Sequence, residues 1–299
     1  MSDTMLLGVE LGGTKCIAVA SRGQEIVREA RWPTTTPEIT LTQLFDTIAQ
    51  WQADQAFAAL GLASFGPLHL GTGDPRYGCI GNTPKQLWAG VDLMARARAH
   101  FSGPIALDTD VNAAALAEGH WGAAKGLAHH AYITIGTGVG VGLMLGGRAH
   151  HGTSHAEIGH LRVRRAGGDG FAGNCPFHGD CLEGLVSGPA LERRTGLPGQ
   201  DIPDDHPVWQ QVAAEIAQLI VVLILTVAVE RIVIGGSVAV NRPALLPAIR
   251  AAALAQLAGY PRHFAAEIDT MVTLPALGDR AGPLGAIAVA MSALEAEGR

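Results

Sequence analysis

Four side chains that can ligate a transition metal lie close together near the middle of the chain. His160, Cys175, His178 and Cys181 follow the spacing H-x14-C-x2-H-x2-C. Two thiolates and two imidazoles suit tetrahedral Zn²⁺, and a full set of four protein ligands makes a closed site with a structural role. Glycines between residues 167 and 173 would let the loop fold back and bring His160 to the other three. The alternative is a pair of reduced, buried cysteines beside two surface histidines.

Two carboxylates flank this predicted metal cluster. Glu157 precedes His160 by three residues, and Glu183 follows Cys181 by two. A metal that fixes both segments also fixes both carboxylates, and fixed acceptors suit a sugar, because each hydroxyl must be paired once it leaves water. The cluster is therefore predicted to support a sugar pocket. Further histidines and cysteines lack ligand spacing and are interpreted as polar loop residues or as core and turn thiols: His150, His151, His155, Cys16 and Cys79.

A second candidate reactive group lies where a predicted strand passes into a predicted helix. The segment LDTDVNAAALAEG places Asp108, Asp110 and Asn112 at this junction. A carboxylate near a helix N-terminus is favoured by roughly 0.3–1 kcal/mol, so helix capping is the alternative. Two acids in three residues exceed what a cap requires, so we predict that one caps and the other faces a ligand. A carboxylate that faces a hydroxyl and a γ-phosphate accepts a proton in phosphoryl transfer.

The motif ELGGTK at residues 10–15 joins two predicted strands and could bind an anion. Its two glycines let the backbone turn sharply and direct N–H groups at a phosphate. Its lysine adds a point charge, its threonine adds a hydroxyl, and its glutamate could hold Mg²⁺ through water. The alternative is an ordinary hairpin turn, because short glycine motifs are weak signals.

Two further glycine-rich segments follow predicted strands. GTGVGVG at residues 136–142 lacks the Lys-Ser/Thr pair of a P-loop and does not open a helix, as a dinucleotide fingerprint would. Glycine inside a strand is consistent with the close approach of a ligand or another backbone. IVIGGSVAV at 232–240 ends a buried strand at Gly235-Gly236, where a flat adenine could lie against the backbone. A strand followed by a simple turn is the alternative.

Composition limits the classes of protein that fit. The chain has 299 residues, of which 48% are hydrophobic, 5% are aromatic and 39 are glycine, which suits an α/β protein of about two domains. A formal charge of -6 without a Lys/Arg run argues against nucleic-acid binding. The start, MSDTMLLGVELGG, has no secretory signal pattern, and the apolar run at 219–229 is shorter than the ~20 residues of a membrane span, so we interpret it as the buried end of a core helix. Four cysteines predict no disulfide framework, and the expected compartment is the cytoplasm.

The predicted elements that position these groups occur in two similar sets. The first set has the order β-β-β-α-β-α-β-α, with a helix from Pro37, and GVELGGTKCIAVA and ITIGTGVGVGLML look like one unit used twice. The second set is predicted to continue with a helix over 209–229, the strand RIVIGG, a helix from Pro243 and the strand MVTLPA. We therefore predict an α/β fold of two domains separated by a cleft. Its predicted parts are a first domain at 1–118, a second at 119–281 with the metal insert at 155–184, and a C-terminal helix at 282–299 that packs back on the first domain.

Seven segments, taken in order, resemble the ROK family of sugar kinases, and within it the bacterial fructokinases, over nearly the whole length. They are GVELGGTK, GNTPKQLW, LDTDVNAAALAEG, TIGTGVGVG, HAEIGH, CPFHGDCLEGLVSGPA and RIVIGG. The resemblance implies the two-domain actin/hexokinase-like (ribonuclease H-like) fold, Mg·ATP as the phosphate donor, and phosphorylation of the 6-hydroxyl of a hexose. The family commonly forms homodimers, and the oligomeric state of this chain stays open.

The resemblance also implies roles for individual residues. Asp110 would be the catalytic base. The residues that would contact the sugar are Gly66, Asn82, Thr83, Glu157, His160 and Glu183. The residues that would hold the nucleotide are Gly12, Gly13, Thr14, Lys15, Gly136, Thr137, Gly138, Gly235 and Gly236. The residues that would ligate structural Zn²⁺ are His160, Cys175, His178 and Cys181.

Two features bear on the substrate. The C-x2-H-x2-C form of the metal motif and the segment GNTPKQLW resemble the fructokinase branch, whereas glucose and N-acetylhexosamine kinases usually carry Asn at the position of Thr109. The resemblance thus implies phosphorylation of D-fructose to fructose 6-phosphate, with mannose as a second substrate. A mannokinase, glucokinase or N-acetylhexosamine kinase is the alternative within the family.

Two alternatives without catalysis are also considered. The transcriptional repressors of the family carry an N-terminal helix-turn-helix, for which the residues before Glu10 leave no room. A catalytically silent sugar-sensing protein would be expected to lack a catalytic group, and Asp110 is present. ATP hydrolysis or transfer that depends on a sugar separates the kinase from both.

Overall fold

The computed structural model describes residues 4–71, 73–165 and 168–297. The strands are β1 (Met5–Leu11), β2 (Lys15–Arg22), β3 (Glu25–Pro33), β4 (Leu60–Ser64), β5 (Ile105–Thr109), β6 (His130–Ile135), β7 (Val139–Leu145), β8 (Arg148–Ala149), β9 (Arg231–Gly235) and β10 (Val272–Thr273). The α-helices are α1 (Pro37–Asp54), α2 (Leu93–Arg98), α3 (Asp110–Trp121), α4 (Leu182–Val186), α5 (Gly188–Thr195), α6 (Val208–Val227), α7 (Ser237–Val240), α8 (Leu245–Leu257), α9 (Arg262–Met271) and α10 (Ala281–Glu297).

The chain divides into two compact units that are discontinuous in sequence. The first unit contains residues 1–125, 148–156 and 277–299, and the second contains 126–147 and 157–276. The predicted C-terminal helix is present as α10, and it packs on β1, β4 and α3 of the first unit. Its last two predicted residues, 298 and 299, lie outside the described part of the chain.

Two five-stranded sheets share one strand order, read from opposite edges. The orders are β3-β2-β1-β4-β5 and β10-β9-β6-β7-β8. In the first sheet β1 is antiparallel to β2 and parallel to β4, and in the second β6 is antiparallel to β7 and parallel to β9. The predicted duplication of an α/β unit is therefore confirmed.

The core of the first unit is built between the sheet and helices on its faces. Helix α1 begins at Pro37, as predicted, because the Thr36 hydroxyl accepts a hydrogen bond from the N–H of Ile39 and proline suits the first helical position. It buries its leucines against β1 and β4. Helix α10 lies directly on β4, because a methyl group built on Gly61 would be 2.0 Å from the carbonyl oxygen of Ala286. Only glycine permits that approach of helix and strand.

The core of the second unit surrounds α6. This helix is long and apolar enough to cross a membrane by length and composition, but half of its most apolar 18-residue window is buried inside the protein. Leu219, Ile220 and Leu223 contact the core formed by β6, β7 and β9, so α6 is the predicted core helix, although it ends at Val227. The predicted strand MVTLPA is reduced to the two residues of β10, because Pro275 follows closely and has no N–H to donate to a sheet.

Candidate active site and metal centre

Three candidate residues of the first unit follow neighbouring parallel strands at one edge of the sheet. The last residues of β1, β4 and β5 are aligned across the sheet. Gly12, Gly66 and Asp110 follow these strand ends within two residues. The carboxyl ends of parallel strands are where open α/β sheets bind ligands. The structure therefore brings the predicted phosphate turn, one predicted sugar contact and the predicted base to the same edge.

The turn between β1 and β2 is held from the end of β3. The N–H of Gly12 donates to the carbonyl of Lys15 at 2.9 Å, which closes the turn. The Thr34 hydroxyl donates to the carbonyl of Gly12 at 2.8 Å, and its N–H donates to the carbonyl of Thr14 at 2.9 Å. Thr14 and Lys15 are exposed, so their side chains can meet a ligand while the backbone below them is fixed.

Glu10, the last residue but one of β1, carries a buried carboxylate. Its Oε2 atom has no hydrogen-bond partner among the described residues. Burial raises the pKa of this carboxyl, which the nearby charges of Lys15 and Arg31 lower again in part. A buried carboxylate oxygen that lacks a partner among the described residues, beside the predicted phosphate turn, fits the oxygen donors that Mg²⁺ prefers.

Helix α3 is capped by a residue that lies between the two predicted acids. The hydroxyl of Thr109 accepts a hydrogen bond from the N–H of Asn112 at 3.1 Å. The prediction that one of the two acids caps the helix is therefore wrong, because threonine itself is a good cap. Asp110 is half-buried in the first turn, and its Oδ1 accepts a hydrogen bond from the N–H of Val111 at 2.9 Å.

Asp108 instead belongs to a buried polar network. Its carboxylate accepts hydrogen bonds from the Asn112 side chain at 2.7 Å and from the Thr109 N–H at 2.7 Å. The Nε2 atom of His151 lies 3.0 Å from the same carboxylate. This hydrogen bond raises the pKa of His151. His151 is a loop residue, as predicted, but its bond to Asp108 was not predicted from the sequence.

The loop at 148–156 also contacts the segment after β4. The Nε2 atom of His155 accepts a hydrogen bond from the N–H of Leu68 at 2.9 Å, and the Ser154 hydroxyl donates to the carbonyl of Leu68 at 3.2 Å. The ring of His155 lies against Gly66. Three histidines within six residues were the signal that this loop makes specific contacts.

The predicted sugar contacts of the first unit adjoin one another. The N–H of Gly81 donates to the carbonyl of Pro67 at 2.7 Å, which places Asn82 beside the segment that carries Gly66. Asn82 is exposed. Thr83 is buried, and its hydroxyl accepts a hydrogen bond from the N–H of Lys85 at 3.4 Å, so it holds the turn.

The predicted nucleotide residues of the second unit also lie together. The N–H of Gly136 donates to the carbonyl of Gly138 at 2.9 Å, and the N–H of Gly188 donates to the carbonyl of Gly136 at 2.7 Å. Parallel pairing aligns the ends of β6 and β9, so Gly236 follows beside this turn. Gly236 has a φ of +83°, and a methyl group there would be 2.4 Å from the backbone of Ile135, so this position requires glycine.

A carboxylate holds this second turn in place. Glu183 lies in the first turn of α4, and its Oε2 accepts a hydrogen bond from the N–H of Val139 at 3.1 Å. Thr137 is exposed at the tip of the turn. The residue that was predicted to bind sugar therefore also positions the predicted nucleotide turn.

A groove of about 420 Å³ next to the second turn was not foreseen from the sequence. Gly188 and Ser237 border it, and it extends to Trp209, Asn241 and Arg242. The guanidinium of Arg242 stacks over the ring of Trp209 at 4.0 Å. The partners are 33 residues apart in sequence, and only the packing of α6 against the segment after α7 brings them together.

The four predicted metal ligands form one cluster in the second unit. One ligand atom from each of His160, Cys175, His178 and Cys181 lies within 4.8 Å of every other. The Nδ1 atom of His160 is 3.4 Å from the sulfur of Cys181 and 3.6 Å from that of Cys175. Zn–S and Zn–N bonds of about 2.3 and 2.0 Å put tetrahedral ligands roughly 3.5 Å apart, so this donor set fits Zn²⁺. Gly167, in the loop that was predicted to fold back, lies outside the described residues.

The two ring nitrogens of His160 face different groups. Nδ1 faces the cysteine sulfurs, and Nε2 is 4.0 Å from Oε2 of Glu157. One imidazole can therefore ligate a metal with one nitrogen and meet a substrate with the other, which makes its two predicted roles compatible. Burial raises the pKa of the Cys181 thiol to about 11, so a metal that binds here must displace its proton.

A buried ion network fastens the metal insert to the helices beneath it. Arg194 of α5 donates to Asp169 of the insert at 2.6 Å and to Glu215 of α6 at 2.9 Å. All three side chains are less than 10% exposed. Arg165 also donates a hydrogen bond to Asp169 at 2.6 Å, within the insert itself.

Known proteins resemble this chain along nearly its whole length. Residues 6–293 match the profile of the ROK family. The chain is 40% identical over 294 residues to a fructokinase of Pediococcus pentosaceus, a match that covers 97% of this chain and 99% of that protein. The crystal structure of a ROK hexokinase from Thermus thermophilus superposes with a TM-score of 0.80 at 28% identity, covering 99% and 100% of the two chains. A ROK family glucokinase of Streptomyces griseus, solved in complex with glucose and AMPPNP, superposes with a TM-score of 0.75 at 23% identity over 96% of this chain and 99% of that one.

The duplicated sheets, the glycine turns at their edges and the acid at the start of α3 define a two-domain α/β phosphotransferase. The chain belongs to the ROK family.

Proposed function

We propose that the protein is a hexose kinase that transfers the γ-phosphoryl group of ATP to the 6-hydroxyl of D-fructose, giving fructose 6-phosphate. The observation that carries this proposal is the 40% identity to a fructokinase, which extends over 97% of the chain. The reaction is a phosphotransfer to an alcohol acceptor.

Asp110 is the proposed catalytic base. Its carboxylate accepts the proton of the 6-hydroxyl as the sugar oxygen attacks the γ-phosphorus. Its Oδ1 atom accepts a hydrogen bond from the N–H of Val111, and it lies in the first turn of α3, where the helix dipole interacts favourably with an anion. A charged carboxylate is the form that can accept a proton.

Polar groups of four residues are proposed to bind the sugar. Asn82, Glu157, Glu183 and Nε2 of His160 are proposed to pair with its hydroxyls. Gly66 and Thr83 shape the surface below them, since Gly66 contacts His155 and Thr83 is buried.

The nucleotide is bound mainly by backbone. The turns at 12–15 and 136–138 and the glycines at 235–236 are proposed to donate N–H groups to the phosphates. The groove lined by Gly188 and Arg242 is proposed to receive the base. Mg²⁺, held through water by Glu10, would neutralise phosphate charge when bound.

The cluster of two histidines and two cysteines is proposed to bind one structural Zn²⁺. Its support is the donor set and the spacing of the ligand atoms. The ion would fix the insert that carries Glu157 and Glu183. We also propose a cytoplasmic location, where ATP is available, and a homodimer, which light scattering of the purified protein tests.

The proposal is tested by ADP release with Mg·ATP and each of five sugars: fructose, mannose, glucose, N-acetylglucosamine and N-acetylmannosamine. Fructose is expected to be the best substrate, with mannose second. If glucose or an N-acetylhexosamine is the best substrate, the fructose assignment is wrong, and no turnover with any sugar supports a binding protein.

The role of Asp110 has its own test. Asp110→Asn is expected to lower kcat by about 10²–10⁴ while fructose still binds, because acid–base help is lost and the shape is kept. The control is Asp46→Asn, an exposed carboxylate on α1, which should leave kcat unchanged. A near-normal kcat in Asp110→Asn would contradict the assignment of the base.

A further inference from the structure

The lysines of this chain are few, and their positions are not random. The sequence has 21 lysines and arginines, but only three of them are lysines: Lys15, Lys85 and Lys125. Two of these three border the turn between β1 and β2. Lysine carries a compact point charge that binds phosphate, whereas arginine is the usual choice for ion pairs with carboxylates.

Lys85 reaches the turn from a distant part of the sequence. A methyl group built on Gly13 would lie 3.7 Å from Cε of Lys85. The ammonium nitrogen is one bond beyond Cε, so the side chain of Lys85 ends near the proposed phosphate turn. It has no hydrogen bond or ion pair within 4–71, 73–165 and 168–297.

Two consecutive residues, Thr34 and Thr35, connect the turn to the segment that carries Lys85. Thr34 bonds the carbonyl of Gly12, and the carbonyl of Thr35 accepts a hydrogen bond from Nε1 of Trp88 at 2.8 Å. Trp88 is 1% exposed, and its own N–H donates to the carbonyl of Lys85 at 2.8 Å. A buried tryptophan thus fixes the backbone from which Lys85 extends.

The two lysines at the turn differ in their surroundings. The charge of Lys15 acts on Glu10, where it lowers the pKa of that buried carboxyl. In the part of the chain that the structure describes, no carboxylate forms an ion pair with Lys85. Lys85 also follows Asn82, the proposed sugar contact, by three residues, so one short segment carries a sugar-binding amide and an unpaired cation.

We propose that Lys85 binds the phosphoryl group while it passes from ATP to the sugar. This inference rests on the proposed function. The bond from phosphorus to the sugar 6-oxygen forms as the bond to the ADP oxygen breaks, and the hydroxyl proton goes to Asp110. Charge is then spread over the three other phosphoryl oxygens, and the Lys85 ammonium neutralises it from the sugar side of the turn.

The kinetic test separates transition-state binding from substrate binding. Lys85→Met keeps the length of the side chain and removes its charge, and kcat is expected to fall by about 10²–10³, the usual scale for loss of one such donor. KM for fructose should change less than about threefold, because Lys85 is proposed to contact the phosphoryl group and not the fructose. Lys85→Arg should restore part of kcat. Lys125→Met, at an exposed position, is the control with unchanged kcat.

A second test does not depend on turnover. Acetylation of the intact protein, read by mass spectrometry, reports on all three lysines at once. Mg·AMPPNP with fructose, or fructose 6-phosphate alone, is expected to slow acetylation of Lys85 at least about fivefold and to leave Lys125 unchanged. Only the neutral amine reacts with the acetylating reagent. A bound phosphate stabilises the charged ammonium and covers it, so acetylation becomes slower.

The outcomes distinguish the two proposals. If wild-type protein phosphorylates fructose but Lys85→Met keeps its kcat, the inference about Lys85 is overturned and the proposed function stands. A loss of activity that appears only as a higher KM, or unchanged acetylation of Lys85 with both ligands, also overturns it. If wild-type protein is silent with every sugar, the proposed function fails, and protection of Lys85 by Mg·AMPPNP still measures phosphate binding at this turn.

Discussion

The two hairpin turns of the molecule occupy the same position in two sheets of the same strand order, yet they carry different chemistry. The turn between β1 and β2 has a buried carboxylate and two lysines around it, and neutral Thr34 holds its backbone. The turn between β6 and β7, at 136–138, contains no charged residue, and the carboxylate of Glu183 holds it.

This difference shows how one duplicated unit can serve two tasks. In the first unit charged side chains surround the turn, which suits a phosphoryl group whose charge changes during reaction. In the second unit the turn at 136–138 carries no charged side chain, and its backbone N–H groups suit phosphates that are only held. The second turn also depends on the insert, because Glu183, which bonds the N–H of Val139, follows the proposed metal ligand Cys181 by two residues.

Removal of the metal should therefore affect one turn and spare the other. Cys175→Ser is expected to lose the zinc and to speed amide hydrogen exchange at 136–139 by about 100-fold, which equals about 2.7 kcal/mol of opening free energy. Exchange at 12–15 should not change, because its supports come from Thr34. The rate of fructose phosphorylation should also fall, because Glu157 and Glu183 are no longer held in fixed positions.

The control for this experiment is Cys79→Ser, a half-buried thiol of the first unit. It should retain one zinc per chain, as measured by elemental analysis of the purified protein, and normal exchange at both turns. Active wild-type protein without zinc would contradict the metal proposal. Equal acceleration at both turns would show that the metal supports the whole molecule and not the second turn alone.

Neutralising the carboxylate at each turn, Glu10 or Glu183, should change the free energy of unfolding in opposite directions. Glu10→Gln removes a buried charge that lacks a hydrogen-bond partner, so the free energy of unfolding without ligands should rise by about 1 kcal/mol, while kcat falls. Glu183→Gln weakens a charged hydrogen bond to the N–H of Val139, so the free energy of unfolding should fall by roughly 0.5–1.5 kcal/mol. Urea denaturation at pH 7 measures both.

The effect at Glu10 also has a defined pH dependence. Burial raises the pKa of this carboxyl in the folded state above 4.5, its ordinary value. The destabilisation is therefore absent below pH 4.5, grows as the pH rises towards the folded pKa, and is complete above it. Glu10→Gln and wild-type protein should become equally stable near pH 4. A gain that does not vary with pH would show that packing, and not charge, is responsible.

Much of the candidate site could be predicted because its chemistry is local in sequence. Three metal ligands lie within seven residues, and the glycine turns each follow a hydrophobic strand, so spacing and residue type alone indicated them. The duplication was visible because the same strand–turn–strand pattern occurs twice. The start of α1 was predictable because Thr36 and Pro37 form a standard N-terminal signal.

What sequence could not predict depends on contacts between distant segments. Lys85 lies 72 residues from Gly13, and His151 lies 43 residues from Asp108, so no periodicity links them. The helix cap was assigned to an acid because acids are common caps, but the backbone at Thr109 has the extended conformation that a cap requires. The backbone conformation of the folded chain decides which of several adjacent residues caps the helix.

The histidines of the two units differ in their partners. This difference leads to the smallest effect on stability that we predict. In the second unit His160 and His178 belong to the candidate metal site, whereas in the first unit His151 is hydrogen-bonded to buried Asp108. That bond raises the pKa of His151 above its ordinary value of 6.5. The stabilisation is therefore fully present below pH 6.5 and is lost as the pH rises through the folded pKa.

His151→Gln should therefore lower the free energy of unfolding by about 1 kcal/mol or less near pH 6, since a third of the side chain is exposed to solvent. The difference in free energy of unfolding between His151→Gln and wild-type protein should shrink towards pH 9, because a neutral His151 stabilises the folded state less than a charged one. His150→Gln, at an exposed neighbouring position, should match wild-type protein at every pH. A deficit of His151→Gln that grows with pH would mean that the imidazole stabilises the loop in its neutral form, as an acceptor of the Asn112 amide and not as a donor to Asp108.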